Sequence, residues 1–380
     1  MIYEEFGYLV SEICSHSPLA AGRPLVWTII ANPKAGGFTI KSRWKKHLQM
    51  LQACAQKAGK NPLREGNPSK TSLSQEGNSS GNGLMLTRSA GHAADITRML
   101  LEEAALDAGK TDTGNPGSDA SKGRPFYIII SAGGDGTSLE IMTSLYNAPS
   151  ETRENFAILR LPMGTGNDGA DAWDLDKALL LLMERTELHK QRALRLTTAS
   201  GKGPFLAFNI LSVGLDAFVT HMTNKMKGKL PGDSYKLWVD VASLLYDRLY
   251  KVDYMDVRAK DSGGNEVKSL NEKLLLLAVG ESGRRSYGSH QWILPDERNV
   301  CAIKQMPLFL KLALKGSLAY GTHIDRSEAI LWNASSVEFT ARHPMLAQMD
   351  GEAVLLDDKD YPAVIELTEP VIPVLKLSPA

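Results

Sequence analysis

An α/β domain followed by a mainly antiparallel β domain is the fold class that this 380-residue sequence predicts. Three observations carry the expectation. Through the first half, bulky β-branched runs ending in glycine alternate with helical apolar patterns, the mark of a parallel sheet covered by helices. After about residue 190 the texture changes to short alternating strands with few helices. The length also exceeds what one hydrophobic core usually serves. Two domains are therefore expected, 1–193 and 194–365.

The elements follow in order. "PLVWTIIANPKAGG" reads as a strand from Val26 to Ala31 stopped by Asn32-Pro33. "RWKKHLQMLQACAQKAG" places Leu48, Leu51, Cys54 and Ala58 on one helical face. "GLMLT" is a short second strand and "AADITRMLLEEAALDAG" a second helix. "FYIIISAGGDG" and "FAILRLPMGTGND" are two further strands, each ending in glycines. Polar Gly/Ser-rich stretches at 60–83 and 107–123 read as surface insertions. The "GKT" at Gly109–Thr111 lies in one of them, follows a helix and lacks the earlier glycine, so it is no phosphate loop. Beyond residue 190, "QRALRLTTA", "GPFLAFNILSVGL", "YKVDYMDVRAK", "EKLLLLAVG", "AILWNASSVEFTA" and "PAVIELTE" are strand-like. Long helical patterns occur near 234–248 and 307–319. "PVIPVLKL" fits a strand of either domain.

Composition removes several function classes. Lys+Arg and Asp+Glu stand at 43 each, so no global field favours nucleic acid. The three cysteines are far apart, which suits a reducing compartment without a disulfide framework. The eight histidines form no H-x-x-x-H pair. The N-terminus has no basic start with an apolar core, and no run approaches the ~18–20 apolar residues of a bilayer span. A soluble, cytoplasmic protein with at most peripheral membrane contact is expected.

Chemistry concentrates in four short segments. The turn "GGDGT" (Gly133–Thr137) sits where a strand hands over to a helix. Glycine allows close approach to the main chain, and peptide N–H groups backed by a helix N-terminus form an anion site. "NPKAGG" (Asn32–Gly37) precedes it, and "PMGTGND" (Pro162–Asp168) and "QMDGE" (Gln348–Glu352) follow. This order resembles the diacylglycerol kinase catalytic-domain family, which includes sphingosine kinases and soluble bacterial lipid kinases. NAD kinases share the first turn but not P-x-G-T-G-N-D.

The resemblance implies an architecture and a reaction. It implies a Rossmann-like α/β nucleotide domain with a parallel sheet and a C-terminal mainly antiparallel β-sandwich. The active site would lie in the interdomain cleft, and residues 366–380 would return to the first domain. The implied reaction transfers the γ-phosphoryl of ATP, with Mg²⁺, to a lipid hydroxyl. Backbone N–H groups of Gly133, Gly134, Gly136 and Thr137 would cradle phosphates. Asp135 suits Mg²⁺ better than bare phosphate oxygens, the alternative being a side-chain hydrogen bond that stabilises the turn. Gly164, Thr165, Gly166 and Asn167 would line the nucleotide side. Asp168 is either a metal carboxylate or the N-cap of a helix containing Trp173 and Leu179. Asn32 either caps its own loop or meets the nucleotide, and Thr87 approaches it from "LTRSAGHA". Asp350 is the implied general base, with Asp135 as competitor, and Glu352 a Mg²⁺ or water ligand. An ordinary Asp-Gly hairpin turn is the alternative for Asp350 and Gly351. Glu140 either bonds across the site or favours a helix N-terminus.

Three departures stand against the family pattern. Gly169-Ala170-Asp171 lacks the cation expected after the second glycine turn. Arg195 replaces an acid in "LRL", and "PDERNV" (295–300) replaces an Asp-Asp-Gly loop, which puts a structural Mg²⁺ in doubt. On the substrate side, Lys225, Lys227, Lys229 and Lys236 form either a solvated loop or a basic lip for anionic lipid. "MPLFLKLALKGSLAYG" is either a packed helix or an acyl-chain lining. A homodimer is compatible with all of this. An NAD kinase-like enzyme or a non-catalytic binding member are the alternatives.

Overall fold

Leu25–Ala31 (β1), Phe126–Ala132 (β3) and Phe156–Arg160 (β4) form the centre of a six-stranded sheet. They do so in a computed structural model that describes residues 2–19, 23–60, 83–111, 124–226, 246, 252–288 and 291–378. The strand order is Gly83–Leu86 (β2), β1, β3, β4, Ile372–Leu377 and Thr186–Gln191 (β5). β1, β2, β3 and β4 pair in parallel, as the strand–helix alternation requires. The edge departs from the all-parallel expectation, because β5 runs antiparallel to 372–377. β4 is buried at every position, since both faces of the sheet are covered.

The period of two decides which helix each side chain meets. Ile29, Ile128, Ile130, Ala157 and Leu159 join one core cluster. Phe6 and Val10 of helix Ile2–Ser15 (α1), Leu51 and Ala55 of Lys41–Ala58 (α3) and Leu179 and Leu182 of Leu175–Met183 (α7) complete it. Ile30, Ile129 and Ile158 are buried outside that cluster, on the other face. The remaining helices of this unit are Gly36–Thr39 (α2), His92–Thr111 (α4), Asp135–Asn147 (α5) and Ser150–Arg153 (α6). Residues 1–191 and 371–380 form one compact unit and 192–370 a second.

The second unit is built on one eleven-stranded antiparallel sheet. Its strands are Leu194–Thr198 (β6), Phe205–Ala207 (β7), Ile210–Gly214 (β8), Tyr254–Lys260 (β9), Glu266–Gly280 (β10), Val300–Lys304 (β13), Ala329–Trp332 (β14), Ser336–Ala341 (β15), Met345–Met349 (β16), Glu352–Leu356 (β17) and Ala363–Leu367 (β18). Arg285–Tyr287 (β11) and Gln291–Leu294 (β12) pair separately. β10 makes the expected sandwich from a single sheet. Residues 266–273 pair with β9, while 274–280 pair with β8 and β13, with a register shift at Leu274/Leu276. A bulge bends and twists a strand, which folds the two halves onto each other. Leu196, Val257 and Phe339 from one half and Val213, Leu277 and Val300 from the other share a core. The second half of β10 is buried throughout because its far face is covered as well. Leu276 and Ala278 pack there with Phe218 of Leu215–Met226 (α8) and Leu314 of Leu308–Tyr320 (α9). The expected insertions 60–83 and 107–123 are shorter than read, because 107–111 belong to α4 and Gly83 opens β2. Residues 61–82 and 112–123, Lys227, Lys229, Lys236 and nearly all of the 234–248 helical pattern lie outside the described residues. The last strand, 372–377, is numbered β19.

Candidate active site

In the first unit, three of the four sequence segments meet at the carboxyl ends of parallel strands. The Asn32 N–H donates to the Ala132 carbonyl, 3.1 Å, and Thr87 N–H to Ala31, 2.9 Å. These bonds place the β1, β2 and β3 exits side by side, where open α/β sheets bind ligands. Of the two expectations for Asn32, the loop cap is present. Its Oδ1 accepts the Lys34 N–H (3.0 Å) as a loop cap, and its Nδ2 lies 3.5 Å from the Thr137 hydroxyl.

The two glycine turns pack on one another. A methyl group on Gly164 would sit 2.6 Å from the Gly134 Cα, and one on Gly133 would sit 2.4 Å from the Thr137 hydroxyl. Gly37 N–H donates to the Met163 carbonyl, 2.8 Å, so "NPKAGG" holds "PMGTGND" from the other side. Thr165 Oγ1 faces Gly36, and Arg43 Nη1 reaches the Gly164 carbonyl at 3.4 Å. One part of the phosphate cradle needs correction. The Thr137 N–H is bonded to the Gly134 carbonyl (3.0 Å), as in a tight first helical turn, and so is used within the fold. Gly134 and Gly136 flank Asp135, the first residue of α5.

Asp135 and Asp168 flank Gly166, with Oδ2 atoms 3.2 and 3.0 Å from where its Cβ would stand. Burial pushes the Asp135 carboxyl above its ordinary range, against backbone donors that include Gly169 N–H (2.9 Å). Asn167 takes a left-handed φ of 59°, a conformation asparagine tolerates. Its buried Oδ1 has no hydrogen-bond partner among the described residues. Asp168 is not a helix cap. α7 starts at Leu175 with Asp174 in the N-cap position, and exposed Trp173 precedes it. Glu140 accepts the Gly91, Ala93 and Ala94 N–H groups, and so caps the N-terminus of α4 rather than its own helix.

Asp171, the residue that replaces the family cation, is itself paired. It accepts the Arg160 N–H (2.7 Å) and Nε (3.1 Å) in an ion pair with both side chains buried. Arg160 also reaches Gln191 Oε1, 3.3 Å. Arg160 is the last residue of β4. Arg160→Met should strand the Asp171 charge and destabilise the unit by about 3–5 kcal/mol, seen as a lower urea midpoint. An unchanged midpoint would remove the pair from the account.

In the second unit, Asp350 and Gly351 form the two-residue turn of the β16–β17 hairpin, with Met349 opposite Glu352. Both turn residues have positive φ, 45° and 98°, the type I′ pattern of Asp-Gly hairpins. The hairpin alternative is therefore real, yet the carboxylate does more than turn the chain. It is buried and accepts N–H groups from Phe208, Asn209 (3.0 Å) and Ile210 (3.0 Å). Glu352 is exposed at the start of the edge strand β17.

Sequence reading missed the group beneath this turn. Gln348 accepts the Gly351 N–H (3.1 Å) and donates to Ser212 Oγ (2.9 Å) and toward Asp216 (3.4 Å). Ser212 also donates to Asp216, 2.7 Å. Burial raises the Asp216 carboxyl to about 6. A raised carboxyl contributes stability that is complete below about pH 4 and is lost as pH climbs through about 6. Asp216→Asn should abolish that fall, roughly 2–3 kcal/mol between pH 4 and 7. Urea unfolding of both proteins at the two pH values checks it, and parallel pH profiles would refute it. Only the Gly-Leu-Asp step after β8 hinted at this residue.

The departures in the second unit are satisfied by protein partners. Arg195 pairs with Glu366 (2.8 Å) across β6 and β18, and Arg298 chelates Asp296 within "PDERNV". Among the described residues no group of three or more His, Cys, Asp or Glu is arranged for a metal.

Comparison with known proteins agrees with the motif order. Residues 82–199 match the diacylglycerol kinase catalytic domain. The chain is 27% identical over 227 residues to a "Probable lipid kinase YegS-like" of Enterobacter sp. (strain 638), covering 59% of this chain and 71% of that protein. A protein of the same description from Yersinia pestis (strain Pestoides F) is 33% identical over 112 residues, 28% of this chain and 35% of its own length. In fold, the chain is similar to a "putative diacylglycerol kinase" from Bacillus anthracis str. Sterne. The TM-score is 0.54 at 17% identity, with 92% of this chain and 94% of that one covered. The chain is therefore lipid-kinase-like, with residues 82–199 matching the diacylglycerol kinase catalytic domain that its glycine motifs resemble.

Proposed function

We propose that the protein is an ATP-dependent lipid kinase that transfers the γ-phosphoryl of Mg-ATP to a lipid hydroxyl at a membrane surface. The observation that carries this reading is the packing of Gly134 on Gly164 beside Asp135 and Asp168. A side chain larger than hydrogen at Gly164 would push the two turns apart, and turns packed this closely at a helix N-terminus are the kind of main-chain surface that receives phosphates. The residues fit a magnesium nucleotide. Mg²⁺ is commonly bound by one or two carboxylates with phosphates and retained waters, and the orphaned Asn167 Oδ1 can accept from such a water. When bound, the ion would neutralise phosphate charge.

The protein's own contribution is positioning. Asn32 and Thr137 join the strand ends, and Glu140 fixes the segment that carries Thr87. Arg43, anchored at the Gly164 carbonyl, adds positive charge on the nucleotide side. In the second unit, Asp350 takes the role of proton acceptor for the lipid hydroxyl. Three backbone donors hold its carboxylate in one orientation.

The test is radiolabelled γ-phosphoryl transfer with a panel of vesicle-borne lipids and with free NAD. A labelled lipid that disappears with Asp350→Asn is the expected result. Labelled NAD with no labelled lipid, or Mg-ATP binding without any product, would overturn the reading.

A further inference from the structure

Helix α9 is only half absorbed by its unit. Leu314 is buried, and Leu310 and Leu318 pack beside it on the core under β10 and β13. The opposite arc is apolar as well, yet it faces outward. Leu308 is 45% exposed, Phe309 69%, Leu312 54% and Tyr320 83%. At helical spacing these four side chains fall on one arc with Ala313 and Gly316. Scattered exposed apolar residues need no explanation, but a contiguous set does.

The chemistry of the arc selects its occupant. The helix sequence LFLKLALKGSLAY contains two lysines and no acid. Lys315 is exposed at the rim of the arc, while Lys311 is buried. Bulky apolar side chains at one end, a tyrosine at the other and a cation at the edge make up the face of a helix that lies in a bilayer interface. A second copy packed two-fold on the same arc would bring Lys315 toward its own equivalent, which charge opposes. No described helix is long and apolar enough to cross a membrane.

We propose that this arc docks the chain on an anionic lipid bilayer. Leu308, Phe309 and Leu312 enter the acyl boundary, Lys315 meets headgroup phosphates, and Tyr320 stays at headgroup depth. The lipid-kinase reading enters only as the reason that a bilayer is the partner.

The experiment is sedimentation of the full chain, without ATP, with phosphatidylcholine vesicles with and without phosphatidylglycerol. The wild type should sediment with the anionic vesicles. The double substitution Phe309→Ser, Leu312→Ser should weaken partition by at least about tenfold, with unchanged thermal unfolding, since both side chains are exposed. Lys315→Glu should weaken binding to the anionic vesicles alone. A second readout uses the burial of all three cysteines. Phe309→Cys can be labelled selectively with an environment-sensitive fluorophore, whose emission should shift to the blue on vesicles.

The proposal fails if the wild type ignores anionic vesicles, if the double variant partitions as the wild type does, or if the label does not respond. It also fails if the double substitution dissolves a solution dimer and leaves vesicle binding intact, since the occupant is then a second copy. Vesicle binding that follows these expectations while no lipid is ever phosphorylated would refute the kinase reading and leave the docking arc standing.

Discussion

Gly164→Ala should yield a protein that no longer binds Mg-ATP measurably tighter than background. The added methyl would stand 2.6 Å from the Gly134 Cα and 2.9 Å from Asn167 Oδ1. The first of these is backbone, so no side-chain rotation relieves it. One glycine turn must move off the other, and the surface offered to the triphosphate goes with it. We expect affinity to fall at least about 100-fold, and stability by about 1–3 kcal/mol from overpacking. Gly83→Ala is the control, because nothing lies within 4 Å of its Cβ position. Calorimetric titration and urea unfolding read both quantities. Wild-type affinity in the Gly164 variant would show that the turn-on-turn packing has no part in nucleotide binding.

Asp350→Asn should lower lipid phosphorylation by about 10²–10⁴-fold, the range for removing a positioned acid–base group. It should also destabilise the protein. An asparagine amide turned toward the Phe208, Asn209 and Ile210 N–H groups would set donor against donor, at a cost of about 1–3 kcal/mol. Glu352→Gln separates the two effects. Its exposed side chain predicts unchanged stability, so a lower rate in that variant reports on chemistry alone. If Asp350→Asn keeps full turnover, the proton acceptor is elsewhere, and Asp135 is the next residue to replace.

Much of the architecture was legible because local and global preferences agree. β3 is a run of isoleucines that ends in glycine, and its burial is nearly continuous. β9 alternates so strictly that exposed and buried residues trade places at each step from Tyr254 to Lys260. β5 was invisible for the opposite reason. Thr186–Gln191 is a polar, largely exposed edge strand, and no apolar period announces it. The "GTGND" aspartate shows the limit of a local rule. Asp168 stands before a helical pattern as a cap should, but a nearer Asp174 takes that position. The Asp216–Ser212–Gln348 group and the Arg160–Asp171 pair depend on contacts that only the folded chain makes. A glutamine next to a motif gives no sign of which distant carboxylate it will touch.

β19 carries a consequence for biosynthesis. This strand lies between β4 and β5 and supplies the pairing of each on that side. While the ribosome is still making the second unit, the nascent first unit exposes an open strand edge, the kind of surface on which chains aggregate. Emergence of residues 372–377, rather than synthesis of residue 191, is the event that seals it.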